Sequence, residues 1–161
     1  MLAYLLLGSN LGPRRRHLAW ARRALRAEGL RLRRLSSLYA TRALPEAGAA
    51  AQPWYLNQVV EAETALDPVR LLRRLQHLER QAGRPVPPRR GAQARTLDLD
   101  LIAYGRLHWN SPVLALPHPR WRERPFLLAL MSELFPRGRA AAAGLAWTPP
   151  LPDASAWRRL K

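Results

Sequence analysis

The chain has 161 residues, 48% of them hydrophobic, and a formal net charge of +16. That length suits a single domain spanning 1–161 with a full core. The lack of cysteine excludes disulfides and thiolate metal sites, and no apolar run has the length of a membrane span or the basic flank of a signal segment. The expected compartment is the cytoplasm. Lys161 is the sole lysine, so the charge is almost entirely arginine. It points to a polyanionic partner, either nucleic acid or a polyphosphate ligand, although a GC-rich or heat-adapted genome gives a similar composition.

In chain order, the apolar run 3–7 reads as a buried strand ending in a turn at Gly8-Ser9-Asn10. Residues 13–28 read as a helix, with Leu18, Ala21 and Leu25 on one face and arginines on the others. A second strand is expected over 31–40, then a Pro/Gly-marked loop over 41–53. Residues 55–64 form a third strand. Asp67-Pro68 supplies an N-cap and a first-turn proline for a helix to about Ala82, which Gly83 stops. An arginine- and proline-rich loop covers 84–94, and LDLDLIAY at 97–104 is a strand. Short extended pieces fill 107–119, a helix spans about 120–134, and the tail from Pro136 holds one short helix near Trp157. Strand, helix, strand, strand, helix, strand gives an α+β fold, a ferredoxin-like βαββαβ core with a mainly antiparallel sheet and packed helices.

The strand at 97–104 carries the sharpest chemical signal. Alternation puts Asp98 and Asp100 on one face and Leu97, Leu99 and Leu101 on the other, in a core. Aspartate is a poor strand former, and two on one face repel unless a cation stands between them. Magnesium takes carboxylate and phosphate oxygens and could be that cation. A lone Asp-x-Asp is more often an ordinary ion pair with neighbouring arginines such as Arg95 or Arg106. Two flanking arginine-rich loops shift the balance, because arginine forks suit phosphate. GSNLG lacks the Walker pattern, so an ATP site here must work through arginines and metal.

These residues, with LLLGSNLG at 5–12, SSLYAT at 36–41, PWYLNQVVEAET at 53–64, LERQAGR at 78–84, ARTLDLDLIAYG at 94–105 and LPHPRWRERPFLLAL at 116–130, resemble the 6-hydroxymethyl-7,8-dihydropterin pyrophosphokinases of folate biosynthesis. The resemblance implies a ferredoxin-like fold and transfer of the terminal pyrophosphate of ATP to the pterin hydroxymethyl group, with AMP leaving. It implies that two Mg2+ ions are held by Asp98 and Asp100. Gln76, Glu79 and Leu101 match family positions at the nucleotide, and Arg84, Arg95, His118 and Arg124 match phosphate-binding positions. The resemblance implies that Arg84, Arg95, Asp98 and Asp100 form the catalytic set. Asn57 matches the side chain that reads the polar edge of the pterin, Tyr55 and Phe126 match the aromatic pair around the ring, and Thr41 and Leu44 match backbone contacts to it.

The chain also departs from the family. Gly91-Ala92-Gln93-Ala94 stands where a tryptophan and a Gly-Pro are common, Pro119 follows His118 where tyrosine is frequent, and either Arg89 or Arg90 takes the place of a loop arginine. The sequence does not reveal the general base. ATP and the pterin are the expected partners of a monomer, with neither nucleic acid nor membrane. The competing reading is an RNA-binding domain, since ferredoxin-like sheets bind RNA and the charge is suitable. It calls for a basic-aromatic strand motif, which is absent, and would put positive residues where the two aspartates stand.

Overall fold

The computed structural model describes residues 1–42, 52–84, 94–135 and 157–160. The elements in order are β1 (Leu2–Ser9), α1 (Arg14–Ala27), β2 (Arg31–Leu35), β3 (Leu38–Thr41), β4 (Tyr55–Glu63), α2 (Pro68–Gln81), β5 (Asp98–Tyr104), β6 (Trp109–Asn110), β7 (Ala115–Leu116), α3 (Pro125–Leu134) and β8 (Trp157–Leu160). The main sheet runs β5-β1-β4-β3-β8, with β2 also on β4, and all its pairs are antiparallel. Taking β2 and β3 as one broken strand, this is the expected α+β βαββαβ core. Most of the loops expected at 41–53 and 84–94 lie outside the described residues.

Strand alternation divides the core into two layers. Leu5, Leu7, Leu97, Leu99 and Leu101 face α1 and α2, where Leu18, Ala21, Leu25, Leu71, Leu75 and Leu78 complete one cluster. Tyr4, Leu6, Val59 and Ile102 face α3 and pack on Leu127, Leu130, Met131 and Phe135. A fully buried leucine contributes about 2 kcal/mol, whereas an exposed ion pair such as Arg70–Asp67 contributes at most about 1 kcal/mol. The two apolar layers therefore hold the sheet. The surface arginines do not.

Helix α2 is framed as its sequence predicts. Asp67 accepts from Arg70 N at 2.9 Å, Pro68 opens the first turn, and Gly83 follows the helix at φ +95°. Three local features differ from expectation. The strand expected over 31–40 breaks at Ser36-Ser37, because the Ser36 hydroxyl takes the Val59 N–H at 2.9 Å and the Gln58 amide takes the Ser36 carbonyl at 2.7 Å. These side chains replace ladder bonds that a continuous strand would make. The third helix begins at Pro125 rather than near 120, where a turn from His118 to Trp121 precedes it. The tail near Trp157 forms strand β8 rather than a short helix. It pairs with the open edge of β3, and Leu160 packs against the helix-side core.

Candidate active site

One end of the sheet gathers the polar groups. Gly8 of β1 lies between Asn57 of β4 and Asp98 of β5, and Tyr39 of β3 pairs with Asn57. Asp98 and Asp100 share the face that carries Ile102 and α3, while Leu99 and Leu101 are buried on the other. The side chains of Asp98 and Asp100 are 22% and 23% exposed.

Each carboxylate is engaged by arginine through one oxygen. Arg95 Nη1 donates to Asp98 Oδ1 at 2.6 Å, and Arg84 Nη1 reaches the same oxygen at 3.5 Å. Arg124 Nη1 donates to Asp100 Oδ2 at 2.5 Å. Arg124 is the residue before Pro125, so the start of α3 sets its place. Asp98 Oδ2 and Asp100 Oδ1 make no hydrogen bond or ion pair among the described residues. Those two hard oxygens on adjacent same-face carboxylates fit a divalent cation whose remaining ligands come from phosphate and water. No group of three or more His, Asp or Glu that could hold a metal occurs among the described residues.

Glu79 of α2 lies beneath this pair. It is buried, accepts from Leu99 N at 2.9 Å and pairs with Arg84 at 2.5 Å. Burial pushes its carboxyl up to about 7; the charge of Asp98 adds to that, while the Leu99 N–H and Arg84 pull the other way. Its carboxylate thus ties α2 to the aspartate strand and points inward. Arg95 is held above the usual arginine range because Asp98 outweighs its burial. Burial lowers the His118 imidazole, with Asp100 acting against it and Arg124 and Arg120 with it. Its backbone is fixed to β5, His118 N donating to Ile102 O at 2.8 Å.

On the same row, Asn57 Nδ2 donates to Thr41 Oγ1 at 2.6 Å, and both residues are buried. Tyr55 lies within electrostatic reach of Asp98, Arg95, Arg124 and Asp100, and its phenol is raised first by burial and then by Asp98. Phe126, in the first turn of α3, is half-buried against the second core layer.

The structure thus brings Arg84, Arg95, Asp98, Asp100, Glu79, His118, Arg124, Tyr55, Asn57 and Thr41 to one end of the sheet. Two of the expected nucleotide residues differ from this group in exposure or face. The Gln76 side chain is exposed on α2, and the Leu101 side chain is buried on the opposite sheet face. Leu44, Arg89 and Arg90 lie outside the described residues.

Residues 4–136 match the family described as 7,8-dihydro-6-hydroxymethylpterin-pyrophosphokinase. The chain belongs to this family. It is 37% identical over 134 residues to the 2-amino-4-hydroxy-6-hydroxymethyldihydropteridine pyrophosphokinase of Bacillus subtilis (strain 168), covering 83% of this chain and 77% of that protein. The enzyme of the same name from Synechocystis is 39% identical over 132 residues, covering 81% of this chain and 64% of that protein. A mitochondrial folate synthesis bifunctional protein of Pisum sativum is 38% identical over 128 residues, covering 80% of this chain but only 24% of that protein's length. No helix among the described residues is long and apolar enough to cross a membrane.

Within this family member, two site positions carry no sequence label beyond the Gly-Ser-Asn turn. Asn10 is 2% exposed and links the two loop flanks: its Oδ1 accepts from Arg95 N at 2.6 Å, its N–H donates to Arg95 O at 3.0 Å, and its Nδ2 donates to Gln52 Oε1 at 2.9 Å. Gly8 is the other, because a Cβ there would lie 2.9 Å from Asn57 Oδ1. The signal available in sequence is an apolar strand that runs into glycine and small polar residues at a sheet end. The strand continues through Ser9 and turns only afterwards.

Proposed function

We propose that this pyrophosphokinase uses ATP and Mg2+ to convert 6-hydroxymethyl-7,8-dihydropterin to its diphosphate, releasing AMP. The observation that carries the reading is the same-face pair Asp98 and Asp100, each with one oxygen on arginine and the other without a hydrogen bond or ion pair among the described residues, beside the Asn57–Thr41 hydrogen bond. Asp98 and Asp100 hold two Mg2+ ions, which when bound neutralise phosphate charge and orient the triphosphate.

The protein's own groups do the rest. Arg84, Arg95 and Arg124 supply guanidinium forks to phosphate oxygens, with His118 alongside. Gln76, Glu79 and Leu101 border the nucleotide, Leu101 through its backbone, since its side chain is in the core. Asn57 reads the polar edge of the pterin while Thr41 holds its amide, Tyr55 and Phe126 flank the ring, and Leu44 contributes a backbone contact. The hydroxymethyl oxygen bonds to the β-phosphorus, the bond from the β-phosphorus to the α,β-bridging oxygen breaks so that this oxygen leaves on AMP, and the hydroxyl proton passes to solvent. Such transfer relies on positioning and charge stabilisation more than on covalent help from the protein. The enzyme acts as a cytoplasmic monomer.

The test is product analysis of ATP, hydroxymethyl dihydropterin and Mg2+ incubated with the chain. AMP and the pterin diphosphate are expected. ADP as the only nucleotide product, or a fully active Asp98→Ala enzyme, sinks the reading. Asp98→Ala and Asp100→Ala should each lower kcat by at least about a hundredfold, the scale of losing a main electrostatic group. The RNA-binding alternative has little sheet surface to use among the described residues, since α1 and α2 cover one side and α3 packs on part of the other.

A further inference from the structure

We propose that Arg84, Arg95 and Arg124 serve as built-in counter-ions of the carboxylate pair, and that they pass from carboxylate to phosphate when cation and nucleotide arrive together. This rests on the reading of Asp98 and Asp100 as metal ligands and adds a role for the arginines before substrate binds.

Among the described residues the cluster holds three carboxylates, Glu79, Asp98 and Asp100, against three guanidinium groups, Arg84, Arg95 and Arg124. With Glu79 ionised, above about pH 7, its formal charge therefore balances with no ligand present. The arginine side chains are between 15% and 33% exposed, so their attraction to the carboxylates is less screened than that of surface pairs. A divalent cation arriving alone adds positive charge and competes with guanidinium groups at 2.5 and 2.6 Å from the same carboxylates. A triphosphate arriving alone meets arginines already committed to those carboxylates. Two divalent cations and an ionised triphosphate of charge about −4 add almost no net charge together. The cations take the carboxylates and the phosphates take the released arginines. Each ligand then favours the other, and the coupling is reciprocal by linkage.

The consequence is a pair of opposed effects that a simple phosphate-binding arginine does not produce. Removing Arg124 takes the competitor from Asp100, and removing Arg95 leaves Asp98 only the longer contact with Arg84, so in each case the cation binds more tightly without nucleotide. The same change weakens nucleotide binding, because a phosphate contact is gone.

The experiment measures Mn2+ binding to the full chain by electron paramagnetic resonance without nucleotide. It also measures α,β-methylene ATP binding by calorimetry, with Mg2+ and with EDTA. In Arg124→Ala and Arg95→Ala, Mn2+ affinity should rise roughly three- to tenfold, the range of a partly sheltered ion pair, and nucleotide affinity should fall. Arg122→Ala removes the same charge from an arginine stacked on Trp121 and should leave Mn2+ affinity unchanged. Circular dichroism checks folding; if Arg124→Ala is unfolded, Arg95→Ala decides. Unchanged or weaker Mn2+ binding in the folded arginine variants overturns the counter-ion role even where nucleotide affinity falls. So does an equal gain in Arg122→Ala, which would mark a general field effect. If Asp98→Ala and Asp100→Ala bind Mn2+ with α,β-methylene ATP as the unaltered chain does, the metal reading itself fails, and the counter-ion role with it.

Discussion

Gly8 has no side chain, and the row Asn57–Gly8–Asp98 depends on that. A Cβ at position 8 would stand 2.9 Å from Asn57 Oδ1, 3.6 Å from Tyr55 and 3.7 Å from Asp98 Cβ. The first distance is below any ordinary contact, and Asn57 is buried and tied to Thr41, so the amide must rotate or move. Gly8→Ala should therefore weaken pterin binding by about tenfold, the scale of a lost buried hydrogen bond, and affect the nucleotide less. Calorimetry with each substrate separates the two, and equal losses for both would contradict the placement. Glu79 makes a prediction about pH. An unfolded glutamate releases its proton near 4.5, whereas burial holds the folded group's proton to about 7. Between those values the folded state binds more protons, so this group's contribution to stability falls as pH rises from 4.5 and is fully lost above about 7. Glu79→Gln keeps an oxygen for the Leu99 N–H and removes the titration. The melting temperature of the unaltered chain should drop relative to the variant's across that window, and parallel profiles would show that Arg84 keeps Glu79 ionised throughout.

Among the elements, those with strong local patterns were readable from the sequence and those made by tertiary contact were not. Helix α2 has its cap, its first-turn proline, its apolar face and its terminal glycine within one segment. The aspartates of β5 alternate with buried leucines, so their shared face followed from spacing. Arginine pairing was legible only as a possibility, since Arg124 reaches Asp100 across 24 positions and from a helix start set by Pro125. The inward carboxylate of Glu79 depends on how α2 lies on the sheet, which the i,i+3 spacing of Gln76 and Glu79 does not convey. Strand β8 depends on the open edge of β3, a partner more than a hundred residues earlier, so a short basic tail with no period of its own gave no strand signal. A chain ending before Trp157 should consequently lose the β3–β8 ladder and the Leu160 packing, and its melting temperature should fall by several degrees. Hydrogen exchange should report the loss mainly in β3, close to Thr41 and Asn57. If exchange there is unaltered, β8 contributes nothing to holding that edge.

At the scale of the whole molecule the excess of arginine has two distinct parts. Arg84, Arg95 and Arg124 are matched to carboxylates at the sheet end. On the outer helical layer, Arg15, Arg16, Arg23 and Arg73 are exposed, and none has an ion pair among the described residues. With a net charge of +16, that layer attracts polyanions without any built site to select among them. Such attraction runs through counterion release and falls steeply with salt, while a cluster of partly sheltered ion pairs is screened far less. Single-stranded RNA should therefore bind the chain at low ionic strength with no sequence preference and dissociate by roughly 0.3 M salt. Pyrophosphate transfer should persist there with only a modest rise in KM. Fluorescence anisotropy of a labelled oligonucleotide, run beside the AMP assay across the same salt series, makes the comparison. Arg15→Ala with Arg16→Ala should weaken the RNA complex and spare turnover. RNA that stays bound at high salt, or that α,β-methylene ATP with Mg2+ displaces, would instead place the polyanion on the aspartate end of the sheet and revive the nucleic-acid reading.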